Sequence, residues 1–198
     1  MLLEDENKVF LIVGLGNPGR EYRNTRHNAG FWVLDSLANR LGESFTRVQS
    51  RALVTKSVYE QNRLILAKPQ TYMNESGQAV GSLIRFYKVP VQNIMIVYDD
   101  VDLPFGTIRI RPGGGSAGQK GMSSIIEKLG INGFPRLRIG IGRPPGKLNA
   151  AAYVLQEFSK QEEKQITETV DKAVEAILSF VTVGIEKTMT QYNSQDPD

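Results

Sequence analysis

The chain holds one histidine, His27, and no cysteine. Disulfides, thiolate nucleophiles and cysteine metal sites are thereby excluded. A zinc site would have to be completed by carboxylates alone, against the ligand sets that zinc prefers. What a lone imidazole does well is take a proton near neutral pH. Two kinds of side chain would serve it. A carboxylate holds the ring in one tautomer and favours its protonated form. An amide donates to a carbonyl oxygen as that oxygen becomes negative. Asp99, at the end of "NIMIVYDD", supplies the first; Asn17, in "VGLGNPG", and Asn74, in "MNESG", supply the second. Each also has an ordinary structural use, as a surface histidine, a solvated acid at a turn or, for Asn74, a helix cap.

Other patterns compete with this one. Gly14, Gly16 and Gly19 have the G-x-G-x-x-G spacing of a dinucleotide-binding loop. That reading also needs a helix opening within the glycines and an acid about 20 residues on at the next strand's end. Here Pro18-Gly19 is a turn signal, "REYRNTRHN" separates the glycines from the helix, and Asp35 falls inside a helical stripe. The cofactor reading fails on context. Asp99, Asp100 and Asp102 contain the oxygens that magnesium prefers, but in an extended chain Asp99 and Asp100 point to opposite faces. The glycine loop 113–121 offers backbone N–H groups to a phosphate, and Arg109, Arg111 and Arg138 flank it in the sequence.

These residues need a frame that puts them at the tips of neighbouring strands. "VFLIVGLG" reads as a buried strand ended by glycine, delivering Asn17 to its tip and Tyr22 and His27 to an exposed loop. "AGFWVLDSLANRLG" has helical spacing, with Asn28 as a possible cap and Gly42 as its stop. Residues 51–60 and 63–68 read as two strands, "QAVGSLIRFYKV" as a helix, and "NIMIVYDD" as a buried strand finishing in carboxylates. "GTIRIRP" alternates with period two and puts Arg109 and Arg111 on one face. "MSSIIEKLG" is a helix stopped by Gly130, "PRLRIGIG" another strand, and a last long helix is expected from near Glu162 to Gln191. Strands alternating with helices imply a sheet covered on both faces. Strand 51–60 beside 63–68, and 94–98 beside 107–111, make that sheet mixed. The fold class expected is α/β, a single domain over residues 1–198 with an ordered core from 9 to 190 and a frayed tail after 191.

The 198 residues suffice for one well-buried α/β domain. "MLLEDENK" lacks the basic start and apolar core of a signal peptide, and no apolar run approaches the roughly 18 residues of a membrane span, so the expected location is cytoplasmic. The net charge of +3 hides an asymmetry. Residues 103–149 carry eight basic side chains and one acid, whereas from Glu157 onward nine acids face four lysines. A basic middle suggests a surface for a polyanion.

"VGLGNPGREYRNTRHNAG", "KPQTYMNESG", "YDDVDLPFG" and "RLRIGIGRP" together resemble, in order, the motifs of the bacterial peptidyl-tRNA hydrolases. The resemblance implies a mixed twisted sheet flanked by helices, a monomer without cofactor or metal, and hydrolysis of the ester joining a peptide to the 3′-terminal ribose of tRNA. By the same resemblance His27 is the base that activates water, Asp99 stabilises it, and Asn17 contacts the substrate. Tyr22, Tyr72, Met73 and Asn74 fall on groove positions, and Arg111 and Arg138 on positions that meet tRNA phosphates. One departure stands out: where the family usually ends the glycine loop in His-Asn-Gly, this chain has Gln119 and Lys120 in the places of the histidine and asparagine. Lysine can donate but not accept. This departure keeps an alternative open, a non-catalytic RNA-binding homologue of the same fold.

Overall fold

Residues 8–193 are described by the structure, a computed structural model. The first strand, β1 (Val9–Gly14), is a nearly unbroken apolar run, as befits a strand covered on both faces. It leads through 3₁₀ turns at Arg20–Tyr22 and Arg26–Asn28 into α1 (Ala29–Arg40). There follow β2 (Arg47–Gln49), β3 (Ala52–Tyr59), β4 (Asn62–Pro69), α2 (Ser76–Tyr87) and β5 (Ile94–Asp100). The remainder comprises β6 (Ile108–Arg111), α3 (Lys120–Leu129), β7 (Arg136–Gly140), α4 (Ala150–Tyr153), α5 (Lys160–Val183) and α6 (Ile185–Asn193).

All seven strands form one sheet in the order β2-β3-β4-β1-β5-β7-β6. β1 runs parallel to β4 and β5, and β5 parallel to β7, while β2, β3 and β6 are antiparallel to their neighbours. The mixed sheet is as expected, and so is the pairing of β3 with β4. The expected contact of strand 94–98 with 107–111 is not: β7 lies between them. The chain after β6 passes through α3 and returns as a parallel partner of β5, a crossover that local alternation does not encode.

Alternate residues of each central strand feed two cores. Phe10, Ile12, Leu66 and Val97 meet α1 and α5 on one face. Leu11, Val13, Ile65 and Ile96 meet α2 and α3 on the other. Each such side chain fully removed from water contributes roughly 1.5–3 kcal/mol. Of the glycines that suggested a nucleotide loop, Gly14 and Gly16 serve this packing. A Cβ on Gly14 would lie 2.2 Å from the Gly30 carbonyl oxygen, and one on Gly30 would lie 2.4 Å from that of Val97. The start of α1 therefore sits directly on β1 and β5, and His27, two residues before it, is carried over the strand tips.

Three further expectations are corrected. The last long helix is two, broken at Gly184 (φ 84°). Tyr192 and Asn193 are helical rather than frayed, and the Asn193 side chain donates to and accepts from the backbone of Ile110 on the edge strand β6. The rest of the expected tail, 194–198, lies outside the described residues. Asn28 precedes α1 but makes no side-chain cap bond; its amide does something else, described next.

Candidate active site

At the carboxyl ends of β1 and β5 lies a cavity of about 630 Å³. His27 and Asp99 meet there: Nδ1 is 2.8 Å from Asp99 Oδ2 and 2.9 Å from Oδ1. A carboxylate only accepts, so Nδ1 carries the proton and Nε2 keeps its lone pair when the ring is neutral. The loop is exposed as expected from Gly19 to Asn24, apart from the half-buried Tyr22, but not at its end, where Thr25 to Asn28 are buried. His27 is 9% exposed and Asp99 2%. The burial comes from a distant segment: Arg26 N–H donates to the Gln156 carbonyl and His27 N–H to that of Val154. Arg26 also reaches α5, where its guanidinium forms a two-pronged pair with Glu162 at 3.0 and 3.1 Å, over the rings of Tyr153 and Phe158. Burial alone would raise the Glu162 carboxyl, but its bonds from Arg26 and Ser159 outweigh that and hold it below the usual range.

Asn17 is locked from three sides. The Asn28 side chain accepts from its backbone N–H and donates to its carbonyl, each at 2.9 Å. The Asn17 Oδ1 accepts from Met73 N–H at 2.8 Å. That bond fixes which end of the amide is oxygen, so Nδ2 is a donor with no protein partner among the described residues. Asn17 also lines the cavity.

The neighbouring acids go elsewhere. Asp100 accepts from Arg138 Nε at 2.6 Å and from Asp102 N–H, and Asp102 pairs with Arg143. The three aspartates do not converge, and among the described residues no cluster of three His, Cys, Asp or Glu could hold a metal ion.

Of the nine site residues read from the sequence, the cavity wall brings together His27, Asp99, Asn17, Tyr72, Met73 and Asn74. Asn74 is exposed and is not the helix cap. Tyr22, Arg111 and Arg138 lie outside the wall. Tyr22 is half-buried in its turn, its carbonyl accepting from Thr25; Arg111 is exposed on the edge strand. The sequence reading missed the segment from Asn149 to Leu155, which closes one side of the cavity, and Gln119, which forms part of its floor. Gln119 was legible only as a departure from a motif. Arg136, counted there with the basic surface, is 1% exposed and donates to the carbonyls of Gly114, Gly115 and Asn132, holding the glycine loop in place.

A mixed α/β sheet with a buried His–Asp pair and a free amide donor at its strand tips defines a class, that of α/β enzymes equipped for general-base chemistry. Comparison with known proteins narrows it. The Peptidyl-tRNA hydrolase family profile matches residues 11–198. A peptidyl-tRNA hydrolase from a Thermoanaerobacter species is 46% identical over 93% of this chain and all of its own length. The chloroplastic peptidyl-tRNA hydrolase of Arabidopsis thaliana is 49% identical over 94% of this chain, which spans 65% of that longer protein. A chloroplastic group IIB intron splicing facilitator of the same plant is 45% identical over 95% of this chain and 79% of its own. The crystal structure of peptidyl-tRNA hydrolase from Acinetobacter baumannii superposes with a TM-score of 0.89 at 36% identity, covering 98% of this chain and 100% of the other. The chain belongs to the peptidyl-tRNA hydrolase family.

Proposed function

We propose that this member of the family is a working peptidyl-tRNA hydrolase, which splits the ester between a peptide, or an N-blocked aminoacyl group, and the terminal ribose of tRNA. The observation that carries this is the His27–Asp99 pair, which engages Nδ1 and leaves Nε2 free of the carboxylate, on a cavity wall that includes Asn17, whose Nδ2 has no protein partner among the described residues. Neutral His27 takes a proton through Nε2 from a water molecule as the water oxygen attacks the ester carbonyl. Asp99 offsets the positive charge that grows on the ring. Asn17 Nδ2 donates to the carbonyl oxygen as it becomes negative, a contribution of a few kcal/mol. The bond to the ribose oxygen then breaks, that oxygen receives the proton from His27, and peptide acid and free tRNA leave.

Tyr72, Met73 and Asn74 flank the peptide, with Tyr22 toward the outer groove. Arg111 and Arg138 face tRNA phosphates in this reading, Arg138 through the guanidinium nitrogens that Asp100 leaves free. The protein works as a single-domain monomer in the cytoplasm and requires no cofactor. No described helix is long and apolar enough to cross a membrane.

The test is purified protein with N-acetyl-aminoacyl-tRNA, alongside His27→Ala. The reading expects ester cleavage by the unchanged chain and loss of most turnover in the folded variant; wild-type activity in the variant would remove His27 as the base. A second reading, an RNA binder without hydrolysis, draws on the splicing-facilitator relative and on Lys120 in the cavity wall. Retention of that tRNA without cleavage by the unchanged chain would favour it.

A further inference from the structure

Besides the imidazole, Asp99 has one side-chain donor among the described residues: Gln119 Nε2, 3.3 Å from Oδ1. The orientation of this amide is not free. Its Oε1 accepts from Met122 N–H at 2.8 Å, capping α3. A flipped amide would set N–H against N–H, so the NH₂ end must face Asp99. The same Nε2 lies 3.3 Å from Met73 Sδ, and Met73 N–H holds Asn17. Gln119 is 9% exposed. One side chain thus ties the start of α3 to the carboxylate at the tip of β5 and to the turn that fixes Asn17.

We infer that Gln119 is a positioning residue for the His27–Asp99 pair: its donation to Asp99 Oδ1 aims the carboxylate at Nδ1 and withdraws part of its negative charge, so that Gln119 sets how readily His27 takes up a proton. The inference rests on the reading of His27 as the base for its catalytic consequence, though not for the electrostatics. Hydrogen bonds to an ionised carboxylate are charge-assisted and short-range. Removing this one leaves more negative charge to the imidazolium, which is then held more firmly. The other charged and titratable groups around the ring come from every packed element. They are Asp100 on β5, paired with Arg138; Tyr72 before α2 and Lys120 on α3, both on the cavity wall; Arg26, paired with Glu162 of α5; and Tyr153 of α4, bonded to the Ile141 carbonyl. Neither Gln119→Met nor Gln119→Ser changes the charge of any of them. The family's usual histidine here would bring a titratable group beside Asp99; glutamine supplies a donor whose charge is the same at every working pH.

Because His27 is the only histidine, its ring C–H resonances in the full chain, prepared without a histidine tag, titrate free of overlap. The measurement compares the unchanged chain with Gln119→Met, which lacks both the donor and the cap, and Gln119→Ser, which keeps a capping oxygen but cannot reach Asp99. The inference expects the His27 midpoint to rise by about half a pH unit or more in both variants, with a larger loss of thermal stability in the methionine variant alone. An unmoved midpoint in both, or a rise confined to the methionine variant, would reduce Gln119 to a helix cap and overturn the inference. The acid limb of kcat/KM on N-acetyl-aminoacyl-tRNA should move with the midpoint. If the resonance moves and the limb does not, the inference stands and His27 is not the base.

Discussion

A neutral imidazole acts as a base only through the nitrogen that carries no proton, so the group at Nδ1 decides what Nε2 can do. Asp99 decides it here by accepting at 2.8 Å. Asp99→Asn keeps the size and the buried position, and with its oxygen turned to the Gln119 donor it offers an NH₂ group to the ring. Nδ1 would then have to accept, the proton would move to Nε2, and the lone pair facing the cavity would disappear. Turnover of N-acetyl-aminoacyl-tRNA should fall about 10³- to 10⁴-fold with the fold intact. Single-turnover kinetics checks the loss, and the nitrogen shifts of the single histidine check the tautomer. Loss of activity without a change of tautomer would mean that charge alone matters. At this scale the sequence was readable where chemistry constrains residue type: one histidine, an acid ending an apolar run, an asparagine just past another. Burial was not readable. "REYRNTRHN" is polar and looks exposed, yet Arg26 and His27 are covered by a backbone segment almost 130 positions further on.

The elements hold that covering segment to the strand tips. β1 and β5 lie side by side and parallel, so their carboxyl ends share one edge, and the packing of Gly30 on Val97 brings the start of α1 over it. Arg26 fastens this turn to α5 through Glu162, whose carboxylate also closes the capping box with Ser159. Glu162→Gln keeps much of the cap but leaves the buried Arg26 guanidinium without its counter-charge, a loss of about 2 kcal/mol at neutral pH. The pH dependence follows from the carboxyl lying below its ordinary value of 4.5 in the folded protein. Such a group stabilises above its unfolded value and loses that contribution as the pH falls through the folded one. The stability difference between the unchanged chain and Glu162→Gln, from urea melts, should be full at pH 7, narrow below about pH 4.5 and close as Glu162 protonates. A difference independent of pH would assign the effect to packing over Tyr153 and Phe158. Element type was largely legible from periodicity, but element order was not. The insertion of β7 between β5 and β6 depends on which apolar strand fits beside β5, and both "IRI" and "LRI" alternate alike.

Across the whole molecule, the charge asymmetry of the sequence changes meaning once the side chains have places. Of the eight basic residues between 103 and 149, Arg136 is buried among carbonyls, and Arg138 and Arg143 are paired with Asp100 and Asp102. Arg109, Arg111, Lys120, Lys128 and Lys147 have no ion pair among the described residues, while the outward side of α5 is rich in acids. The field that remains is therefore carried by fewer cations than the sequence counts, and Arg111, exposed on the edge strand, is the one among them that also matched a phosphate position. A phosphate contact releases counterions, and its contribution falls as salt rises. In this reading kcat/KM for N-acetyl-aminoacyl-tRNA declines with salt, and Arg111→Gln lowers the slope of log kcat/KM against log salt by about one. Cleavage of a short N-acetyl-aminoacyl-adenosine, which has the ester but no phosphate, should be nearly indifferent both to salt and to that substitution. The two substrates separate the polyanion surface from the chemistry: equal slopes for the unchanged chain and Arg111→Gln would move the tRNA contact away from β6, while a matching loss on the short ester would make Arg111 part of the fold rather than of the interface.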